Sequence, residues 1–125
     1  MILDTNALSG WAENDRRLLK ALPFDRPLYL PAIVLGEYRF GLKSSREGEI
    51  RERWLEQVCA ALTVLNVDTD TARHYADIRD ELRIAAKPIP ENDIWISALT
   101  RQHTLRLVSR DAHFDFVTGI QRVNW

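Results

Sequence analysis

The chain contains 125 residues, of which 46% are hydrophobic and 28% charged, and its formal net charge at pH 7 is −1. These proportions are typical of a globular protein with room for a hydrophobic core, and we expect one domain over residues 1–125. No apolar run approaches the roughly 20 residues that span a bilayer, which excludes a transmembrane helix, and the near-neutral charge argues against an unspecific nucleic-acid coat.

Short β-rich runs alternate with helical patterns along the chain. Strands are predicted at residues 1–3, 28–30, 63–67, 105–109 and 121–125. Helices are predicted at residues 9–22, 31–41, 47–62, 71–86 and 92–100, with a short turn or helix at residues 112–114. This alternation favours an α/β protein with a largely parallel sheet that is covered by helices on both faces.

Prolines and capping residues define several of these helix boundaries. Pro23 ends the first helical pattern, and Pro31 suits the first turn of the next helix because its φ is preset and its missing N–H is not needed there. Two closely spaced prolines end the helix predicted at residues 71–86. Asn92 is the predicted N-cap of the following helix, with Asp93 in its first turn, where carboxylates are favoured.

Four acidic side chains are predicted to converge at one edge of the sheet. Asp4 and Asp111 each follow an apolar strand, and parallel strands end at the same edge, where open α/β sheets place their ligand sites. Asp93 begins a helix that precedes a parallel strand, and such a helix starts at that edge too. Glu37 lies within a helix and needs only that helix to pack beside the first strand. Because buried carboxylates are costly unless they are paired or bound to a metal, the set predicts a divalent-metal site.

The predicted donor set consists of carboxylate oxygens, which favours Mg²⁺ or Mn²⁺. Zinc is disfavoured because His74, His103 and His113 show no ligand spacing with Cys59. A cation in such a pocket orients a water molecule, lowers its pKa and neutralises phosphate oxygens during in-line displacement. Neither a Ser-His-Asp arrangement nor a phosphate-binding glycine motif competes with this interpretation.

Local basic clusters can hold phosphates even though the net charge is slightly negative. The candidates for a basic rim are Arg16, Arg17, Lys20, Arg39, Lys43, Arg46, Arg101, Arg106 and Arg110. For each cluster taken alone, a solvated helix face is the simpler interpretation.

Four motifs occur in a fixed order along the chain. They are Asp4-Thr5-Asn6 after the first strand, Glu37 in a helix, Asn92-Asp93 at the start of a later helix, and Ser109-Arg110-Asp111 after a core strand. This ordered set resembles the motifs of PIN-domain ribonucleases, in particular the VapC-like toxins of bacterial and archaeal toxin–antitoxin pairs. The resemblance covers essentially the whole chain, including its length and its closing Trp125.

The resemblance implies a three-layer α/β/α fold with a central, mostly parallel sheet of four to five strands, and Mg²⁺- or Mn²⁺-dependent RNA cleavage by metal-activated water. It also implies a homodimer that is inhibited by a small VapB-like antitoxin. Carried over by position, the acidic metal site consists of Asp4, Glu37, Asp93 and Asp111, with Asn6 and Ser109 as polar supports. The family often has an acid where His113 stands here, and Asp115 is a weaker substitute for it.

Three other interpretations fit parts of the pattern. A haloacid-dehalogenase-like phosphatase needs a second Asp two residues after the first, and Asn6 occupies that position. A receiver-type signalling domain needs a phosphoacceptor, for which Asp68 or Asp70 would serve, and a Lys after a late strand, whereas Lys87 follows a helix. The third is a non-catalytic PIN-like module that binds RNA or protein, and the retention of all four acids argues against it.

The number of large aromatic residues and the single cysteine bear on partners and location. Four tryptophans are many for so short a chain, and they are difficult to bury completely. We expect at least one of them to contact a second copy of the chain or an antitoxin. The alternative is ordinary packing in the hydrophobic core. Cys59 can form no intramolecular disulfide, which favours a reducing environment, so we expect a cytoplasmic protein. We expect no membrane partner, because no apolar run is long enough to span a bilayer.

Overall fold

The computed structural model describes all 125 residues, and its centre is a five-stranded sheet in which every neighbouring pair of strands is parallel. The strands are β1 (Ile2–Leu3), β2 (Tyr29–Pro31), β3 (Thr63–Leu65), β4 (Arg106–Val108) and β5 (Gln121–Val123). Their order across the sheet is β3-β2-β1-β4-β5. All five predicted strands are present, and the predicted parallel sheet is confirmed.

Six α-helices and one 3-10 helix connect the strands. They are α1 (Thr5–Ala12), α2 (Arg16–Ala21), α3 (Ala32–Leu42), α4 (Gly48–Ala61), α5 (Thr69–Ile84), α6 (Glu91–Gln102) and the 3-10 helix Ala112–Phe116. From β1 the chain moves outward to β2 and β3, then returns to the other side of β1 for β4 and β5. Because crossovers between parallel strands are right-handed, this reversal places helices on both faces and creates a switch point between β1 and β4. The predicted α/β/α architecture is therefore confirmed. No helix is long and apolar enough to cross a membrane.

The core holds the central strand rigidly in place. Ile2 and Leu3 of β1 are fully buried, and they pair with β2 on one side and β4 on the other. The main hydrophobic cluster surrounds them, while a smaller cluster around Ile78 of α5 and Ile94 of α6 joins those two helices. The residues that follow β1 and β4 thus extend from the best-packed part of the molecule.

The helix predicted at residues 9–22 is wrong, because the structure has two helices there. Helix α1 begins earlier, at Thr5, and ends at Ala12, and Asn14 adopts a left-handed conformation with φ of 58°. Asp15 then caps α2, since its carboxylate accepts hydrogen bonds from the backbone N–H groups of Arg17 and the following residue. Asn tolerates positive φ and Asp competes for helix N-termini, so this pair breaks an otherwise continuous apolar pattern.

Four other helix starts differ from the prediction by one or two residues, and one of them is that of α4, which begins at Gly48 instead of residue 47. Pro31 is the N-cap of α3 and the last residue of β2, rather than a residue of the first helical turn. Helix α5 begins at Thr69, because Asp68 and Thr71 form a capping box before it. Pro90, and not Asn92, is the N-cap of α6; the side-chain amide of Asn92 instead donates a hydrogen bond to Glu37.

Candidate metal centre

The four acids predicted at one sheet edge lie together in the structure. Asp4 directly follows β1 and Asp111 follows β4, so both lie at the carboxyl edge beside the switch point. Asp93 is in the first turn of α6, and Glu37 lies in the middle of α3. All four line one pocket of about 230 Å³, together with Asn6. That volume has room for a cation and several water molecules, since a water molecule occupies about 30 Å³ in the liquid.

Asp4 is the most enclosed of the four carboxylates, with 3% of its surface exposed. It is the N-cap of α1, and its Oδ1 accepts a hydrogen bond of 2.7 Å from the backbone N–H of Ala7. Burial, helped by the charges of Asp111 and Glu37, raises the pKa of Asp4 to about 6, although the hydrogen bonds from Ser109 and Ala7 act to lower this pKa. The start of the helix therefore fixes one oxygen of a carboxylate that is expensive to keep charged.

Glu37 is anchored by two polar side chains from neighbouring helices. The hydroxyl of Thr5 in α1 donates to its Oε2, and the side-chain amide of Asn92 in α6 donates to its Oε1. These contacts tie α3 to α1, which Asp4 caps, and to α6, which carries Asp93. The sequence predicted a contact with Glu37 for neither residue: Asn92 was the predicted N-cap of its helix, and Thr5 was only the middle residue of the Asp4-Thr5-Asn6 motif.

Asp93 is 7% exposed and is surrounded mainly by negative charge. Burial, followed by the charges of Asp111 and Glu37, raises the pKa of Asp93 to about 6. The charge of Asp4 adds to this effect, and only His113 opposes it. An excess of carboxylate charge with one imidazole beside it is a donor set that suits a divalent cation.

The segment after β4 adds a backbone anchor and an imidazole to the site. The buried Ser109 hydroxyl accepts a hydrogen bond of 2.9 Å from the backbone N–H of Asp111, whose own Oδ1 accepts one of 2.9 Å from the backbone N–H of His113. The Nδ1 of His113 lies 3.0 Å from Asp111 Oδ1 and 3.8 Å from Asp93 Oδ2. One donor atom from each of Asp93, Asp111 and His113 falls within 4.8 Å of the other two, so these three side chains can hold a metal ion.

Asp115, the predicted substitute for a fifth acid, is engaged elsewhere. Both of its carboxylate oxygens accept hydrogen bonds from Arg122, at 2.8 and 2.7 Å, and it does not line the acidic pocket. The same guanidinium donates to the carbonyl of Ser109 at 3.0 Å. Asp115 therefore helps to hold the segment around Asp111, while His113 occupies the place beside the acids.

The predicted basic rim is only partly free to contact phosphates. Arg39 forms an ion pair with Glu52, Arg101 with Glu81, and Arg110 with Asp15. Arg106 lies at the start of β4, which is the edge of the sheet opposite to the acids. The members that form no ion pair and do not lie at that opposite edge are Arg16, Arg17, Lys20, Lys43 and Arg46.

The structure also bears on the receiver-type interpretation. Asp68 follows β3, which is an edge strand, and its carboxylate caps α5 by accepting hydrogen bonds from Thr71. Lys87 lies beyond the end of α5, with its ammonium group 4.9 Å from the ring centre of Phe116. Neither residue is among those that line the acidic pocket, so the pair required for a receiver site is not assembled.

Comparisons with known proteins agree with this geometry. A family model described as the PIN domain matches residues 1–119. The VapC ribonuclease Y4jK of Sinorhizobium fredii is 34% identical over 99% of this chain and 96% of its own length, and ribonuclease VapC5 of Mycobacterium tuberculosis is 30% identical over 98% of this chain and 90% of its own length.

Among solved structures, DNA-bound VapBC from Salmonella typhimurium superposes with a TM-score of 0.86 and 27% identity, covering 99% of this chain and 96% of the other. FitAcB from Neisseria gonorrhoeae superposes with a TM-score of 0.83 and 28% identity, covering 98% and 96%.

Proposed function

The chain belongs to the PIN-domain family, and from this premise we propose that it is a metal-dependent endoribonuclease and the toxin of a toxin–antitoxin pair. The observation that carries the proposal is the single pocket that collects Asp4, Glu37, Asp93 and Asp111 at the switch point of the sheet. We further propose that residues 1–125 form one nuclease domain, and that it acts in the cytoplasm, where its RNA substrate would be met.

We assign the four acids as the metal site, with Mg²⁺ or Mn²⁺ as the ion. Asp4 and Asp93 are the enclosed carboxylates, Asp111 is held by the Ser109 hydroxyl, and Glu37 is oriented by its two hydrogen-bond donors. When bound, a divalent cation lowers the pKa of water and neutralises charge on the scissile phosphate. The protein positions the carboxylates beforehand, so little reorganisation is needed when RNA arrives.

RNA reaches this pocket, in our proposal, along a groove that adjoins it. A second pocket of about 310 Å³ between α1, α3 and α4 shares Thr5 and Glu37 with the acidic pocket and extends to Ser45 and Arg51. Lys43 and Arg46, which form no ion pair, lie between α3 and α4 and line a separate pocket that shares Leu42 and Ser45 with this groove. Basic side chains outside the acidic pocket can hold the phosphate backbone without entering the metal site.

The partners we propose are a small VapB-like antitoxin and a second copy of the chain. The solved relatives are described as VapBC and FitAcB. The monomer also leaves large apolar side chains on its surface, since Phe40 is 80% exposed and Phe24 is 56% exposed. A partner that covers such side chains removes their apolar surface from water, which stabilises the complex.

RNA cleavage with and without metal tests the proposed activity. We expect the purified chain to cut RNA with Mg²⁺ or Mn²⁺, to leave 5′-phosphate and 3′-hydroxyl ends, and to lose this activity in EDTA. Asp4→Asn should reduce the cleavage rate by about a hundredfold or more, because loss of even an outer-shell partner of a metal typically costs 10- to 100-fold. The matched control is Asp77→Asn, which changes an exposed acid of α5 and should cleave at the wild-type rate.

Two results would contradict the proposal. Cleavage that persists after thorough EDTA treatment, or products with 2′,3′-cyclic phosphates, would indicate chemistry that does not use a metal-activated water. Tight RNA binding without cleavage in either metal would instead identify a non-catalytic binding module.

A further inference from the structure

We propose that His113 is a direct nitrogen ligand of the metal, and that it makes this site select Mn²⁺ over Mg²⁺. The inference rests on the proposed metal site and concerns its selectivity. It is based on the position of the His113 imidazole, which lies next to the carboxylates of Asp93 and Asp111.

The position of the imidazole suits a shared cation. Two neighbouring ligands of an octahedral ion with bonds of 2.0–2.1 Å are about 3 Å apart. The Nδ1 of His113 lies 3.0 Å from Asp111 Oδ1, so these two atoms already have that separation. Asp93 Oδ2, at 3.8 Å from the same nitrogen, completes a set of three donors within 4.8 Å of one another.

The backbone of His113 is fixed beside the acids. Asp111 Oδ1 accepts a hydrogen bond from the backbone N–H of His113, which fixes the first turn of the 3-10 helix. The His113 side chain is about half exposed, so its rotation toward a cation is not blocked by packing. A cation bound here would be held by this nitrogen and this oxygen, which lie 3.0 Å apart in the structure.

An imidazole changes the selectivity of an acidic site in two ways. Mg²⁺ prefers oxygen donors and depends on negative charge, so a neutral nitrogen in place of a fifth carboxylate weakens its binding. Mn²⁺ also accepts oxygen donors, but it stands within the transition-metal series whose affinity for nitrogen exceeds that of Mg²⁺. Glu37, Asp93, Asp111 and Asp4 retain enough charge for either ion, and His113 sets the preference between them.

Pulsed EPR of Mn²⁺ bound to the RNA-free protein tests this inference directly. We expect electron spin echo modulation from a coordinated ¹⁴N nucleus in the wild type and in the exposed-histidine control His103→Asn. We expect it to be absent in His113→Ala and His113→Asp. In titrations monitored by calorimetry, His113→Asp should lower the ratio of the Mg²⁺ to the Mn²⁺ dissociation constant by about tenfold, while the bound Mn²⁺ is retained.

The outcomes separate this inference from the proposed function. A wild-type spectrum without ¹⁴N modulation, or an unchanged selectivity ratio in His113→Asp, would overturn the ligand role even if RNA is cleaved. A ¹⁴N-coupled Mn²⁺ in a protein that cleaves no RNA would support the ligand role and contradict the nuclease. Failure to bind either ion at millimolar concentration would overturn both.

Discussion

At the scale of single residues, Asp4 and Asp93 determine how the site behaves without metal. Both are buried and both have a pKa raised to about 6, chiefly by burial. Their ordinary pKa in an unfolded chain is near 4. Between these two pH values the folded protein binds protons that the unfolded chain does not bind, so its free energy of unfolding increases as the pH falls. The metal-free protein should therefore be more stable near pH 5 than at pH 7.

Substitution of Asp93 by Asn tests this linkage together with the metal site. In EDTA, the variant should be at least as stable as the wild type at pH 7, because a repelled charge is removed while the shape is kept. The gain in stability on lowering the pH, which we place at roughly 1–3 kcal/mol for each raised carboxyl group, should fall by about half because Asp4 remains. Urea unfolding of both proteins at pH 5 and pH 7 measures the effect.

The same variant should lose the response to metal. Mn²⁺ or Mg²⁺ should stabilise the wild type by mass action, and Asp93→Asn should remove most of the rise in melting temperature as well as RNA cleavage. If Asp93 served only the start of α6, its loss would cost a few tenths to about 1 kcal/mol and leave both responses intact. Asp77→Asn is the control, since Asp77 is exposed on α5.

The positions of the acids could be predicted from the sequence, but their immediate partners could not. Parallel strands end at one edge, so Asp4 and Asp111 were placed by topology alone. The hydrogen bonds from Thr5 and Asn92 to Glu37 depend on how three helices pack, and no sequence period encodes that arrangement. The contact between His113 and the acids depends on the geometry of a 3-10 turn, which is equally absent from the pattern.

At the scale of secondary-structure elements, Asp15 connects the break between α1 and α2 to the end of the chain. Its carboxylate caps α2, pairs with Arg110 and accepts a hydrogen bond of 3.4 Å from the Trp125 indole. The Arg110 guanidinium also lies 4.6 Å from the centre of the Trp125 ring. Because Arg110 directly precedes Asp111, this contact supports the segment that carries one of the site acids. The apolar pattern of residues 9–22 gave no sign of the break, since both helices continue it.

Replacing Asp15 separates its two contributions. Asp15→Ala removes the cap and the ion pair, and we expect it to lower the free energy of unfolding by about 1–2 kcal/mol. Asp15→Asn keeps a good capping residue and loses only the charge, so it should retain most of the stability, because a largely exposed ion pair contributes at most about 1 kcal/mol. Urea unfolding measures both.

The control for this comparison is Asp25→Ala, an exposed acid in the loop before β2, which should change stability by less than about 0.5 kcal/mol. Equal losses in Asp15→Ala and Asp15→Asn would show that the ion pair, rather than the cap, holds α2 in place.

At the scale of the whole molecule, the fold was predictable because two simple regularities determine it. Apolar runs alternate with helical periods, and right-handed crossovers then leave few topologies for a five-stranded parallel sheet. This alternation does not predict the surface that a partner would cover. That surface depends on which side chains remain exposed in the folded monomer.

The four tryptophans bear on whether the chain forms a homodimer. None of them is fully buried in the monomer. Trp11 packs edge-to-face against Trp54 and against Phe24, which is 56% exposed, while Trp95 stacks on Tyr75 at 3.9 Å. If the chain forms a homodimer, we expect sedimentation to show it at high micromolar concentration, and acrylamide to quench the indole fluorescence less there than in dilute solution. The reason is that interfaces are enriched in aromatic side chains that the monomer covers only in part.

Single Trp→Phe variants would identify which indole becomes protected, because each removes one emitter and changes little volume. Phe24→Ser is the companion variant, and it should weaken self-association while lowering the unfolding free energy of the monomer by about 1 kcal/mol, since the half-exposed ring packs edge-to-face against Trp11. A chain that stays monomeric at high micromolar concentration, with quenching independent of concentration, would remove the homodimer. The exposed aromatic surface around Trp11 and Trp54 would then be available to the antitoxin alone.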